Sequence, residues 1–176
     1  PDIELELTTT PSIVNLTQRE ADVAVRLAGD APEHLLGSKL ARVGLAIYGS
    51  RALVEEVGVH APYSAFPWLG FDSAGSRSLI EREAPGATVV MRLDTMESMV
   101  RAVEAGLGLG MIPCVRGDAS PGLRRVGALL FPGRHLWVLT HPELRGSARV
   151  RAFTQYMRTI IKRDRDLLEG QRPAVG

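Results

Sequence analysis

The stretch VRAVEAGLGLGMIP, Val100 to Pro113, sets glycines at 106, 108 and 110 in one window. Two readings compete: a phosphate-cradling loop, and hence a nucleotide site, or a structural use of glycine. A dinucleotide fingerprint is G-x-G-x-x-G, placed after a strand and opening a helix, because the helix N-terminus holds the pyrophosphate. Here the spacing is G-x-G-x-G and the order is reversed. Upstream, Met96, Met99, Val100 and Val103 repeat at helical spacing, so the glycines close a helix and lead into an apolar run. A helix C-terminus carries partial negative charge and repels phosphate. The window therefore predicts Gly106 as a left-handed cap, with Gly108 and Gly110 at points of close backbone packing. The glycines serve the fold.

Outward from this window, strand-like and helix-like runs alternate. On the N-terminal side, PDIELELTTT alternates with Ile3, Leu5 and Leu7 on one face and reads as a strand. Asn15 to Arg19 reads as a short helix, ADVAVRL as a buried strand, and LARVGLAIYGS as a further strand. Ser50 is placed to cap a helix carrying Leu53, Val54 and Val57, and Gly58 to stop it. FPWLGF reads as a strand, Ser76 to Glu83 as a helix and ATVVMRL as a strand. Asp94 with Glu97 three residues on forms a capping-box pattern for the helix that ends at Gly106. Downstream, LGLGMIP, GLRRV and HLWVLTH are strand-like. Ser147 begins the longest helix, with Val150, Phe153, Met157, Ile160 and Ile161 on its inner stripe, and EGQRPAVG reads as a frayed tail. Alternation of this kind predicts an α/β fold with mostly parallel pairing.

Composition narrows the function classes. At 176 residues the chain is long enough for one domain or two small lobes. Hydrophobic residues make up 45% and charged residues 23%, a globular balance. Net charge is +1 and the arginines are scattered, which argues against a nucleic-acid footprint on this chain itself. No apolar run approaches the roughly 18 residues of a membrane span. A single cysteine, Cys114, excludes an internal disulfide framework and fits a reducing cytoplasm, the expected location. A chain that opens straight into a strand is expected to be a fragment of something longer.

Four blocks taken in order, ADVAVRL, LAIYGSRALVEEVG, MVRAVEAGLGLGMIP and LWVLTHPELRGSARVRAF, resemble the effector-binding domain of LysR-type transcriptional regulators. The resemblance covers residues 1 to about 160. It implies a two-lobed α/β fold like that of periplasmic solute-binding proteins, with two crossover strands and a small molecule bound in the cleft between the lobes. The matching blocks place lobe one at residues 1–42 plus 140–176 and lobe two at 43–139, with crossings near Val43–Ile47 and Leu136–Leu139. The final helix is expected to return to lobe one. By the same resemblance the sequence is expected to enter lobe one at its second strand, without the first strand and helix and without the family's DNA-binding winged helix-turn-helix, which precedes this domain. A lobe-one sheet without its first strand exposes unpaired backbone, so upstream residues or another chain are expected to cover it.

The resemblance further implies a sensing domain rather than an enzyme, a homodimer or homotetramer in the family manner, and DNA contact only through the separate domain. The expected ligand is a small anionic effector, without cofactor or metal. Thr8, Thr9 and Thr10 at the tip after IELEL offer three hydroxyls to a ligand, or form a solvated turn. Arg26 closes DVAVRL and is suited to a carboxylate, or pairs structurally with Asp22 or Asp30. Asp94 and Thr95 start a helix whose amides suit an anion, unless Asp94 caps it. Phe71, Asp72 and Ser73 end another strand and are candidates to line the same cleft. Met111 and Ile112 supply an apolar wall, or simply pack in the core. Thr9 or Thr10, Arg26 and Thr95 are expected to converge on one ligand.

Other classes are weaker. His34, His60, His135 and His141 show no metal-ligand spacing, and no G-x-S-x-G elbow occurs. Cys114, just past a strand, reads as a structural thiol; the alternative is a nucleophile in a small α/β enzyme. A solute-binding lobe pair serving transport is the other alternative.

Overall fold

The run LARVGLAIYGS is divided in the computed structural model, which describes residues 3–9, 16, 20–130 and 134–171. One strand ends at Arg42 and the next begins at Leu45, with Val43 and Gly44 between them. This break separates two structural units: Pro1–Val43 with Gly133–Arg165, and Gly44–Pro132 with Asp166–Gly176. In chain order the strands are β1 (Val23–Ala28), β2 (Leu36–Arg42), β3 (Leu45–Ser50), β4 (Trp68–Phe71), β5 (Val89–Leu93), β6 (Gly110–Pro113), β7 (Leu123–Arg125) and β8 (His135–Thr140). The helices are α1 (Arg51–Val57), α2 (Ala74–Glu83), α3 (Met96–Glu104), α4 (Cys114–Gly117), α5 (Ala148–Arg163) and α6 (Arg165–Leu168).

In unit one, β8 is the centre of a three-stranded sheet ordered β1-β8-β2. Both neighbours run antiparallel to it, with Val23 opposite Thr140 on one side and Leu36 opposite Thr140 on the other. The long helix α5 starts after Ser147, as its sequence predicts. Val150 is buried, and Phe153, Met157, Ile160 and Ile161 are half-buried between exposed positions, so the 3.6-residue stripe marks the face turned to the sheet. The alternating run at the N-terminus behaves otherwise. Residues 3–9 form no strand, and Ile3, Leu5 and Leu7 are 48, 64 and 84% exposed. Alternation supplies a face, but a strand also needs a ladder partner and something to pack on. Of Asn15 to Arg19 only Leu16 lies within the described residues, and it is buried.

In unit two, β3 is central, flanked by β6 and β7, both antiparallel to it. The pair β4–β5 is parallel. The expectation of mostly parallel pairing is therefore corrected. Among the described residues the parallel contacts are the β4–β5 pair, joined through α2, and the bridge from Trp68 to Leu109 just before β6. Elsewhere the neighbours come from distant sequence, and alternation of element types does not fix their direction.

Period-2 alternation along β3 feeds two apolar clusters. Ala46 and Tyr48 join Leu69, Met99, Val103 and Ile112, while Ile47 joins Val54, Trp68, Ile80 and Leu109. Ser50 caps α1 by accepting a hydrogen bond from the Leu53 amide, and Gly58 closes it at φ 110°.

The glycine window has the structural role predicted for it. Gly106 follows α3 at φ 77°, in the left-handed region. A Cβ on Gly108 would lie 2.6 Å from the Pro67 carbonyl oxygen, and one on Gly110 2.7 Å from a Val103 methyl. Gly108→Ala is expected to cost about 1–3 kcal/mol, the usual penalty of overpacking. Gly122, where a Cβ meets nothing within 4 Å, is the control: Gly122→Ala should stay within about 0.5 kcal/mol. Equal melting temperatures for the two variants would refute the close-packing role.

The tail is corrected too. The Gly44 amide donates to the Leu168 carbonyl at 2.9 Å. Gly170, at φ 71°, sits where a Cβ would come 2.6 Å from the Cys114 sulfur. The polar composition of EGQRPAVG hides this one buried glycine; residues 172–176 lie outside the described region.

Candidate functional site

In unit two the register pairs Phe71 with Leu93, so the parallel strands β4 and β5 end on the same rung. Two residues beyond it stand Ser73 and Thr95, the caps of α2 and α3. The Ser73 hydroxyl accepts from the Ser76 amide at 3.2 Å. The Thr95 hydroxyl accepts from the Ser98 amide at 3.1 Å and donates to the Ser98 hydroxyl at 2.8 Å. Thr95, not Asp94, is therefore the cap of α3, which corrects the capping-box reading. A threonine with extended φ and ψ reaches its own third amide, and the helix starts one residue later than Asp94 would set it. Likewise α2 begins at Ala74 rather than Ser76. The other first-turn amides of both helices have no acceptor within their own helices. Two dipole-positive ends thus open side by side at the C-terminal edge of one strand pair. Asp72 is paired with Arg77 at 2.9 Å, and Glu97 in the first turn of α3 is held by Arg101 at 3.2 Å and Arg116 at 2.5 Å.

In unit one, Arg26 lies opposite Trp137, two residues before the end of β1 rather than closing it. Its expected partner Asp22 is taken by Arg149 at 3.2 Å. Arg26 makes no ion pair with Asp22 or Asp30 among the described residues. Directly opposed residues of an antiparallel pair share a face, so Arg26 has Trp137 beside it. The Trp137 indole N–H is buried without a hydrogen-bond partner among the described residues. A guanidinium and an unsatisfied donor in one cross-strand row form a candidate anion contact; an orphaned donor costs about 1–3 kcal/mol until something accepts from it. Thr8 and Thr9 are exposed, and Thr10 lies outside the described residues.

Met111 and Ile112 are core residues, each in a different apolar cluster of unit two. Cys114 is fully buried. Burial pushes its thiol up from the ordinary range, which disfavours the thiolate form.

Sequence reasoning missed the network around that cysteine. The Tyr48 hydroxyl donates to Asp118 Oδ1 at 2.6 Å, and Arg125 pairs with Asp118 Oδ2. Arg125 also donates to the Gly170 carbonyl at 3.1 Å, fastening residues after α6 to unit two. Burial and then the Asp118 contact raise the Tyr48 hydroxyl far above its usual range. Partners 70 residues apart leave no local signal.

The window of glycines borders a groove of about 400 Å³ whose lining includes Ser50, Glu56, Glu104 and Gly106. Two carboxylates and the C-terminus of α3 there oppose a phosphate, against Arg51 at the start of α1 on the other side of the lining. Among the described residues no helix is long and apolar enough to cross a membrane, and no group of three His, Cys, Asp or Glu could hold a metal ion.

A family model described as the LysR substrate binding domain matches residues 1–161. Among solved structures, the effector domain of the transcriptional regulator AmpR of Pseudomonas aeruginosa is similar at 21% identity and TM-score 0.78, over 93% of this chain and 84% of that one. The regulatory domain of CrgA, a LysR-type transcriptional regulator from Neisseria meningitidis, matches at 16% identity and TM-score 0.70, over 86% and 81%. The regulatory domain of CcmR from Synechocystis, solved in complex with 2-PG, matches at 18% identity and TM-score 0.60, over 84% and 76%. At these identities the likeness concerns the fold. No curated protein matches the chain.

Proposed function

Because the chain belongs to the family of LysR substrate-binding domains, we propose that it is the small-molecule sensing part of a bacterial LysR-type transcription regulator. The family match over residues 1–161 carries this reading. The effector is a small anion; its candidate contacts are Arg26 in unit one and, in unit two, the helix starts at Asp72, Ser73, Asp94 and Thr95. Thr8 to Thr10 contribute hydroxyls. The domain is non-catalytic, works in the cytoplasm as a homodimer or homotetramer, and reaches DNA only through a separate domain. Effector binding shifts a conformational equilibrium to the extent that the ligand contacts its two states differently.

A thermal-shift screen of small mono- and dicarboxylates tests the reading. At least one should raise the melting temperature, and calorimetry then gives its affinity. Arg26→Ala is expected to weaken that binding by about 1.5–3 kcal/mol, the worth of a charged hydrogen bond, or roughly ten- to a hundredfold. Unchanged affinity with a lowered melting temperature would make Arg26 structural instead. Thr95→Val removes a cap and should lower stability by about 1 kcal/mol, read from melting curves of the unliganded chain. A screen without any stabilising acid counts against an anionic effector.

A further inference from the structure

The register of the unit-one sheet adds a third residue to the row that holds Arg26 and Trp137. On the other side of β8, Lys39 of β2 also stands opposite Trp137. Arg26, Trp137 and Lys39 therefore run side by side across all three strands. Directly opposed residues share a face. The other face is the one that meets α5: Ser38, one position before Lys39 and so turned the opposite way, accepts a hydrogen bond from Arg158 of that helix.

This row is rich in donors. The Lys39 ammonium stands 5.2 Å from the centre of the Trp137 ring, and the ring steadies that charge without neutralising it. Neither Arg26 nor Lys39 makes an ion pair among the described residues. The Trp137 indole N–H is buried without a partner there, and so is Nδ1 of His135, two residues away on the same face. The Trp137 ring leans towards β2, where a Cβ on Gly37 would meet its Cε3 at 3.2 Å. On the β1 side, the residues flanking Arg26 on this face are Ala24 and Ala28. Their methyl groups put little side chain between the guanidinium and a ligand.

We infer that the row takes a dicarboxylate, with one carboxylate on Arg26 and the Trp137 N–H and the second on Lys39. The inference rests on the anionic-effector reading above and narrows it. The forked guanidinium suits a carboxylate held through two hydrogen bonds, and the ammonium acts as a point charge. The two cations start two strand spacings apart, about 10 Å at the backbone, and Lys39 already reaches inward over the ring. A monocarboxylate balances one of them and leaves the other without a counter-charge. A dicarboxylate balances both.

Succinate and butyrate are the probes, titrated calorimetrically into the 176-residue chain. They have the same number of carbons and differ in the second carboxylate. Succinate is expected to bind about tenfold more tightly, the worth of one further charged hydrogen bond. Lys39→Gln should cost succinate about tenfold and bring it to the level of butyrate. Lys39→Arg keeps the charge and stacks on the ring, so it should restore the preference for two carboxylates. Arg26→Ala should weaken both acids, while Lys162→Ala, on α5, leaves both unchanged. Bound succinate should also change the tryptophan fluorescence, and that change should vanish in Trp137→Phe. Lys39 is exposed, so its variants should melt with the parent protein. Absence of binding by either acid overturns the anionic reading and this inference with it. Equal affinities for the two acids, or a preference for succinate that survives Lys39→Gln, overturn this inference alone.

Discussion

Asp118→Ala lowers the stability of unit two by roughly 3–5 kcal/mol, the cost of stripping one partner from a buried ion pair. The Asp118 side chain is only 7% exposed and answers both Tyr48 and Arg125. Its loss strands a guanidinium and a phenol in a region with little water. Asp118→Asn keeps the shape and an acceptor for Tyr48, and should cost clearly less. The chain has two tryptophans, Trp68 in unit two and Trp137 in unit one. In a Trp137→Phe background, urea unfolding followed by fluorescence therefore reports unit two alone. A shift in midpoint without a change in slope is the expected signature. If Asp118→Ala unfolds at the parent midpoint, the network is ornamental and residues 166–171 are held by something else.

Trp68→Ala has an effect of similar size, about 3–5 kcal/mol, typical of truncating a large aromatic in a core. Trp68 is fully buried, its ring meets Tyr63 edge-on at 6.1 Å, and its N–H donates to the Tyr63 carbonyl at 2.8 Å. Trp68→Phe keeps most of the apolar volume and loses the hydrogen bond, so it should retain more than half of the lost stability. Circular dichroism melts of both variants separate volume from hydrogen bond; equal losses would mean that ring size contributes little.

The elements legible from sequence are those fixed by local rules. Ser50 and Gly58 bound α1, Gly106 ends α3, and the stripe from Val150 to Ile161 orients α5, because a cap or a helical face is decided within a few residues. Thr95 displaced Asp94 by one position, since both side chains can cap and only backbone geometry chooses between them. What local rules do not carry is partnership. The IELEL run has the alternation of a strand and no ladder, while β8 pairs with segments about a hundred residues earlier.

The same limit applies to candidate sites. Arg26 was visible as a cation in an apolar strand, but its neighbour Trp137 came only with the register. Met111 and Ile112 followed the core reading because β6 lies between two clusters.

The central place of β8 also sets a timetable for synthesis. Strands β1 and β2 bond to β8 and not to each other, so neither has its ladder when it leaves the ribosome. At 5–20 residues per second, the stretch from Arg42 to Thr140 takes about 5–20 s to emerge. For that interval VAVRLA and LGSKLAR are unpaired, and loop-closure entropy makes their late pairing slow. Arginine in one and lysine with arginine in the other are the residues that discourage early association with the wrong neighbour.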